Sequence, residues 1–350
     1  MKNLVQEAIT LLQKTISIQS YSRDEKKVSD FLEQYIKSKG LPVERINNNL
    51  LVLNKEEYQN KPTLLLNSHM DTVKPVSSWI RDPFEPVIED DKIYGLGSND
   101  AGASLITLLL TTITLYDKLE YNLAFCASAE EEVSGTNGIE AVIAKYADFD
   151  LALVGEPTEM KAAVAEKGLM VLDVEAKGKA GHAAREEGVN AIYEAIETIN
   201  WFKNYQFKRI SPFLGPVKMS VTQINAGTQH NVVPDSCKLV VDIRGNGCYT
   251  NQEILDIIKE NTNSNIRARS TRLNSSQLNN THSMYTCLER LHFSPFGSPT
   301  LSDQALMPFP SFKMGPGHSS RSHTADEFIY IHELEEALIR YHELLKEFKF

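Results

Sequence analysis

Apolar positions follow two rhythms along this chain. Over roughly the first 166 residues, short continuous apolar runs alternate with helical patterns. Residues 1–19 read as an amphipathic helix. A second helix comes next, marked by Ser22 with Glu25 three residues on (a capping-box spacing) and ended by Gly40. Strands are expected at 49–53, 63–66, 122–127 and 151–154, and helices at 101–115 and 139–146. Unbroken apolar runs of this length suit strands covered on both faces, and their alternation with helices predicts a three-layer α/β/α sandwich. Near Lys167 the rhythm changes to strict alternation. Strands at 169–176, 217–224 and 238–243, with helices at 190–202 and 252–260, open a ferredoxin-like α+β unit. Residues 167–275 are therefore expected as an inserted domain, and 1–166 with 276–350 as the domain that receives it. The stretch 276–300 is polar and shows no clear pattern, and 332–348 is a strong amphipathic helix.

Composition narrows the class. With 36 basic and 46 acidic residues the formal charge is −10, which argues against a basic nucleic-acid-binding face. No run approaches the roughly 18 apolar residues of a membrane helix, and the N-terminal stretch lacks a secretory apolar core. Cys126, Cys237, Cys248 and Cys287 are scattered without a CxxC pair, which fits free thiols in a reducing cytoplasm and excludes a cysteine zinc ribbon.

The candidate chemistry sits where expected strands end. Residues 63–66 run into His69-Met-Asp71, residues 122–127 into Glu130-Glu131-Glu132, and 151–154 into Gly155-Glu156-Pro157. Carboxyl ends of parallel strands line the crevice in which α/β proteins bind ligands. Asp100 precedes a helix, and a late Gly-Pro-Gly loop carries His323. Taken singly, each has an ordinary reading: a loop histidine, a solvated acidic run, a helix N-cap. Gathered in one crevice, the carboxylates repel unless cations neutralise them, and mixed imidazole and carboxylate donors suit zinc or its neighbours. In an extended segment residues two apart face the same way, so Asp71 can reach back to orient His69. Asp326 and Glu327 read as caps of the final helix.

These stretches carry a resemblance. Together with Gly181-His182-Ala-Ala, Asn231-Val-Val-Pro234, Asp242-Ile-Arg244 and Ser322-His323-Thr-Ala-Asp-Glu, they resemble, in order, the dinuclear zinc aminoacylase and metallopeptidase family. That family includes acetylornithine deacetylases, succinyl-diaminopimelate desuccinylases and glutamate-releasing carboxypeptidases. The resemblance implies that His69 and Glu156 bind one metal, Glu132 and His323 the other, and that Asp100 bridges them. It implies two divalent ions, zinc with cobalt or manganese as substitutes. Asp71 would orient His69, and Glu131 would be the general base. Glu130 stands where the family has Asp, so a register shifted to Glu130-Glu131 is the alternative. His182, from the inserted domain of a partner subunit, would donate to the oxyanion with Asn231 nearby, and Arg244 would hold a substrate carboxylate. The inserted domain would act as lid and dimerisation unit of a homodimer. The Gly-Ser-Asn-Asp-Ala-Gly and Glu-Glu-Val-Ser-Gly-Thr wording looks most like short bacterial acetylornithine deacetylases. The expected reaction is thus deacylation of a small N-acyl amino acid, N-acetyl-ornithine in arginine biosynthesis; the alternatives are another acylated amino acid (N-succinyl-ornithine, N-acetyl-citrulline or succinyl-diaminopimelate), a dipeptide or C-terminal peptide bond, or a non-catalytic metal-binding regulatory protein.

Overall fold

The structure, a computed structural model, describes residues 1–53, 61–185 and 187–350. The chain divides into two units. The larger comprises Met1–Val164, Gln277–Phe296 and Ser302–Phe350; the smaller comprises Ala165–Ser276 and Gly297–Leu301.

In the larger unit the central strands lie in the order Asn49–Val52, Asn122–Ser128, Thr63–His69, Leu151–Val154, Ser311–Lys313. The last four run parallel, and Asn49–Val52 pairs antiparallel with Asn122–Ser128. Thr63–His69 and Asn122–Ser128 are buried at every residue, as the unbroken apolar runs require. Their side chains alternate between two helical layers. Leu65, Ala124, Cys126 and Val154 pack with Ile139, Val142 and Ile143 of the helix Ile139–Lys145. The helix Ala103–Leu115 lies over the same two strands and packs on Lys2–Ile16 and Ile331–Glu347. This arrangement aims the carboxyl ends of Thr63–His69, Asn122–Ser128 and Leu151–Val154 in one direction.

The smaller unit is built in the order strand, helix, strand, strand, helix, strand. Its antiparallel sheet is ordered Lys218–Ala226, Ser236–Arg244, Leu169–Lys177, Asn265–Ala268. Met170, Leu172 and Val174 alternate inward to meet Leu239, Val241 and Ile243 under the helices Ala191–Asn204 and Asn251–Asn261.

Some sequence expectations are corrected. The Ser22–Glu25 capping box does not form. The helix Lys26–Ser38 has Glu25 at its N-cap without a side-chain bond, and Ser22 Oγ instead donates to Asp71 Oδ2 at 2.7 Å. A long-range carboxylate outcompetes the local cap. The patternless stretch 276–300 holds a helix, Ser283–Arg290, capped by the His282 side chain and buried through Met284, Cys287 and Leu288. The first helix ends at Ile16, three residues short of the expectation. Among the described residues no helix is long and apolar enough to cross a membrane, and the four cysteines form no disulfide.

Candidate metal centre

His69 closes the strand Thr63–His69 and is 2 % exposed. Its Nδ1–H donates to the Asp71 carbonyl oxygen at 2.8 Å, with the Asp71 carboxylate at 3.6 Å. The bond that fixes the ring therefore goes to the main chain of Asp71 more closely than to its side chain. Its Nε2 points outward, 3.3 Å from Asp100 Oδ1 and 3.9 Å from Glu156 Oε1. On the opposite side, His323 Nε2 lies 3.0 and 3.1 Å from the two oxygens of Glu132 and 3.6 Å from Asp100 Oδ2.

These contacts form two donor sets, His69–Asp100–Glu156 and Asp100–Glu132–His323, each with ligand atoms within 4.8 Å of one another. Asp100 belongs to both and turns a different oxygen toward each histidine. Two ligand atoms on one tetrahedral ion with bonds of about 2.0 Å sit roughly 3.3 Å apart, so the spacing fits a pair of divalent cations bridged by Asp100. The five side chains expected as ligands converge.

Asp71 has a wider role than orienting His69. Its carboxylate accepts Ser22 Oγ and the backbone N–H groups of Glu131 (3.0 Å) and Glu132 (3.2 Å). It thereby pins the tight turn Glu131–Val133, which lies between left-handed residues at Glu130 and Ser134. Register in the triple glutamate is set by this turn. Glu130 points away, its Oε1 accepting from Asn137 Nδ2 at 3.1 Å. Glu131 and Glu132 both come within ligating reach of His69. Replacing Asp71 by Asn should lower kcat about 10–100-fold with metal still bound, because the turn loses an acceptor and not a ligand; steady-state rates with metal analysis of the variant check this.

The charges explain the proton affinities of the metal-free cluster. Burial, reinforced by the Asp100 charge, pushes the Glu156 carboxyl up to about 8. Burial and the charges of Glu156, Asp303 and Glu132 raise Glu131 well above the carboxylate range, against the pull of His69. His323 rises to about 9, chiefly through its hydrogen bond to Glu132. His69 is held well above its ordinary value by Asp100 and Asp71 although burial opposes this. Repulsion among clustered carboxylates is what bound cations would relieve.

The structure adds residues that the sequence reading misplaced or passed over. Asp326 and Glu327 do not cap the final helix; that end is served by Glu333, whose carboxylate accepts the Tyr330 N–H at 2.9 Å. Asp326 Oδ1 accepts the backbone N–H groups of Ile80 and Arg81 at 3.1 and 2.9 Å. Glu327 reaches the loop that carries Asp100. Asp303, 3 % exposed, accepts Asn67 Nδ2 and Ser128 Oγ at 2.8 and 2.7 Å, tying together the two strands that end in His69 and the glutamate turn. Burial lifts its carboxyl to about 6. Its only sequence signal is an acid after Ser302, just beyond the patternless stretch 276–300.

His182, Asn231 and Arg244 belong to the smaller unit. His182 pairs opposite Val232, and Ala183 N–H donates to the Asn231 carbonyl at 3.0 Å, so His182 and Asn231 lie at one short antiparallel ladder between distant segments. The His182 Nδ1 accepts from Ala184 N–H at 3.1 Å. Arg244 ends the strand Ser236–Arg244, away from that ladder, and its guanidinium makes a two-point pair with Asp242 at 2.9 and 3.1 Å.

A double set of imidazole and carboxylate donors at the carboxyl ends of parallel strands, buried at His69 and open to solvent at His323, is the kind of site a metal-dependent hydrolase uses. The chain matches the peptidase family M20/M25/M40 over residues 65–347 and belongs to that family. It is 34 % identical over 247 residues to a peptidase M20 domain-containing protein of Schizosaccharomyces pombe, covering 67 % of this chain and 60 % of that protein. It is 29 % identical over 293 residues to the acetylornithine deacetylase of Proteus mirabilis, covering 76 % and 74 %. The crystal structure of a Staphylococcus aureus tripeptidase superposes with a TM-score of 0.77 at 20 % identity, covering 98 % of each chain.

Proposed function

We propose that this chain removes the acyl group from a small N-acyl amino acid, with N-acetyl-L-ornithine as substrate and L-ornithine and acetate as products. The observation that carries the hydrolytic reading is Asp100, shared by two complete donor sets with Glu131 beside them. The acetylornithine deacetylase similarity supports the choice of substrate. His69, Glu156 and Asp100 would hold one divalent ion, and Asp100, Glu132 and His323 the other, with zinc the ion of choice and cobalt or manganese as substitutes. Such ions, when bound, lower the pKa of water to near 7 and polarise the amide carbonyl. Glu131 takes a proton from the attacking water and delivers it to the leaving nitrogen, work suited to a carboxyl whose pKa burial has raised. Asp71 holds the turn that aims Glu131. The reading further gives His182 and Asn231 to the oxyanion and Arg244 to the substrate carboxylate, which requires Arg244 to leave or share its pairing with Asp242. It also includes pairing of two copies through the smaller unit, a cytoplasmic location and a place in arginine synthesis.

Release of free amine from a panel tests the reading. The panel holds N-acetyl-ornithine, N-succinyl-ornithine, N-acetyl-citrulline, N-succinyl-diaminopimelate and a dipeptide, each with zinc-loaded enzyme and with chelator. The expected result is chelator-sensitive cleavage of N-acetyl-ornithine above the others. Cleavage of the dipeptide alone overturns the deacylase reading and keeps the metal hydrolase; cleavage of nothing overturns N-acetyl-ornithine as substrate and leaves a substrate outside the panel or a non-enzymatic role.

A further inference from the structure

Glu327 precedes the strand Phe328–Tyr330 and is 2 % exposed. That strand pairs with Lys92–Tyr94, so the chain leaving Tyr94 runs directly past Glu327. Glu327 grips this chain throughout. Its carbonyl accepts Gly95 N–H at 3.0 Å. Its Oε2 accepts Gly97 N–H at 3.1 Å, and its Oε1 accepts the N–H groups of Asn99 and Asp100 at 2.8 and 2.9 Å.

The gripped segment is not a regular element. Gly97 has φ +75, and a Cβ there would meet Thr72 Cγ2 at 2.6 Å. Asp100 and Ala101 lie outside helical geometry although they sit within the turn Ser98–Gly102. The turn is closed by the Gly102 N–H on the Gly97 carbonyl at 2.9 Å, but the irregular backbone at Asp100 leaves the direction of its side chain to further contacts. The bonds to Glu327 supply them, and Asn99 adds a second attachment: its Nδ2 donates to the His318 carbonyl at 3.2 Å and its Oδ1 accepts His318 N–H at 3.1 Å. The segment 318–327 thus carries both His323 and, at its end, the anchor of Asp100.

Placing one buried carboxylate beside another is costly unless the protein gains by it. A neutral amide could accept the Asn99 and Asp100 N–H groups without bringing a further negative charge to Asp100. An anion is favoured where it must satisfy all of the converging N–H donors and where cations lie close by.

We propose that Glu327 is the positioning residue for Asp100: its carboxylate, binding the N–H groups of Gly97, Asn99 and Asp100, sets the Asp100 side chain so that one oxygen faces His69 and the other His323, the two sides on which divalent ions would be held. This rests on the two-metal reading of the site. Loss of the carboxylate then acts on ion pairing and on the chemical step more than on substrate binding.

Cobalt(II) titration of the full chain, monitored by visible absorption and by equilibrium dialysis, tests the inference, with wild type, Glu327→Gln and Glu327→Ala compared. Wild type is expected to bind two cobalt ions per chain. Glu327→Gln keeps an oxygen for Asn99 and Asp100 but turns an N–H toward Gly97, and Glu327→Ala keeps nothing. Affinity for the second ion should fall about 10–100-fold in Gln and further in Ala, the range seen when residues behind metal ligands are lost. The cobalt bands should change with it, and kcat should fall with KM nearly unchanged. Should Ala fail to fold, as judged by circular dichroism, the Gln variant decides. Two cobalt ions bound by the folded Gln variant with wild-type affinity and wild-type bands overturn the inference. A wild type that binds fewer than two ions overturns the two-metal reading itself, and the inference with it.

Discussion

Replacement of Glu131 by Gln is expected to lower kcat by about 10²–10⁴, the usual contribution of a positioned acid–base group. KM and bound metal should change little. The two donor sets that share Asp100 each hold three ligands without Glu131, so losing its charge leaves both intact. Its side chain nevertheless lies within reach of His69 and Glu132, one residue from each donor set. Gln keeps the shape and cannot take the proton. Steady-state kinetics with metal analysis on the same preparation read both sides. A Gln variant with full activity places the base elsewhere, and one that loses an ion makes Glu131 a ligand. Glu130→Gln is the control. Glu130 turns to Asn137, so its rate should stay near wild type if that residue does no chemistry.

The parts of the centre that are legible in the sequence share a physical reason. His69 ends one strand, and Glu132 and Glu156 follow two others within four residues; the apolar runs of these strands are unmistakable, and parallel strands deliver their carboxyl ends to the same crevice. Asp100, shared by the two donor sets, and the late His323 are legible only through their motifs. The features that escape a sequence reading depend on partners far along the chain. Ser22 three residues before Glu25 has the spacing of a local cap, yet its hydroxyl is drawn to Asp71, 49 positions away. Glu327, shortly before an amphipathic helix, has the position of a cap and instead satisfies backbone donors some 230 residues earlier. Local spacing cannot rank a near acceptor against a buried distant one. The Phe328–Tyr330 pairing that brings Glu327 there involves three-residue strands, too short to leave a periodic signal. The helix Ser283–Arg290 leaves little trace because its apolar positions are few and its cap is a histidine side chain rather than Ser, Thr, Asp or Asn.

Metal-free protein should lose stability as pH rises from 7 to 9, and metal-loaded protein should not. The proton affinities of the cluster determine the sign. Glu156 and Glu327, carboxyls of ordinary pKa near 4.5, are raised to about 8, both chiefly by burial. His323 is raised from 6.5 to about 9 by its bond to Glu132. In each case the folded state keeps a proton that the unfolded chain has released, so stability falls with rising pH until the folded value is passed. Asp71 and Asp100 are lowered and matter only below about pH 4. His282 and His342, lowered by burial, are neutral in both states above pH 7. Bound ions reverse the balance, because ligating carboxylates and imidazoles are already deprotonated and the cations offset their repulsion. Metal affinity consequently rises with pH while the stability of the metal-free fold declines. Thermal melting at pH 7, 8 and 9, with zinc and with chelator, should show the gap between the two Tm values widening by several degrees. A gap that stays constant or narrows across these pH values would mean that the cluster is not where the ions bind.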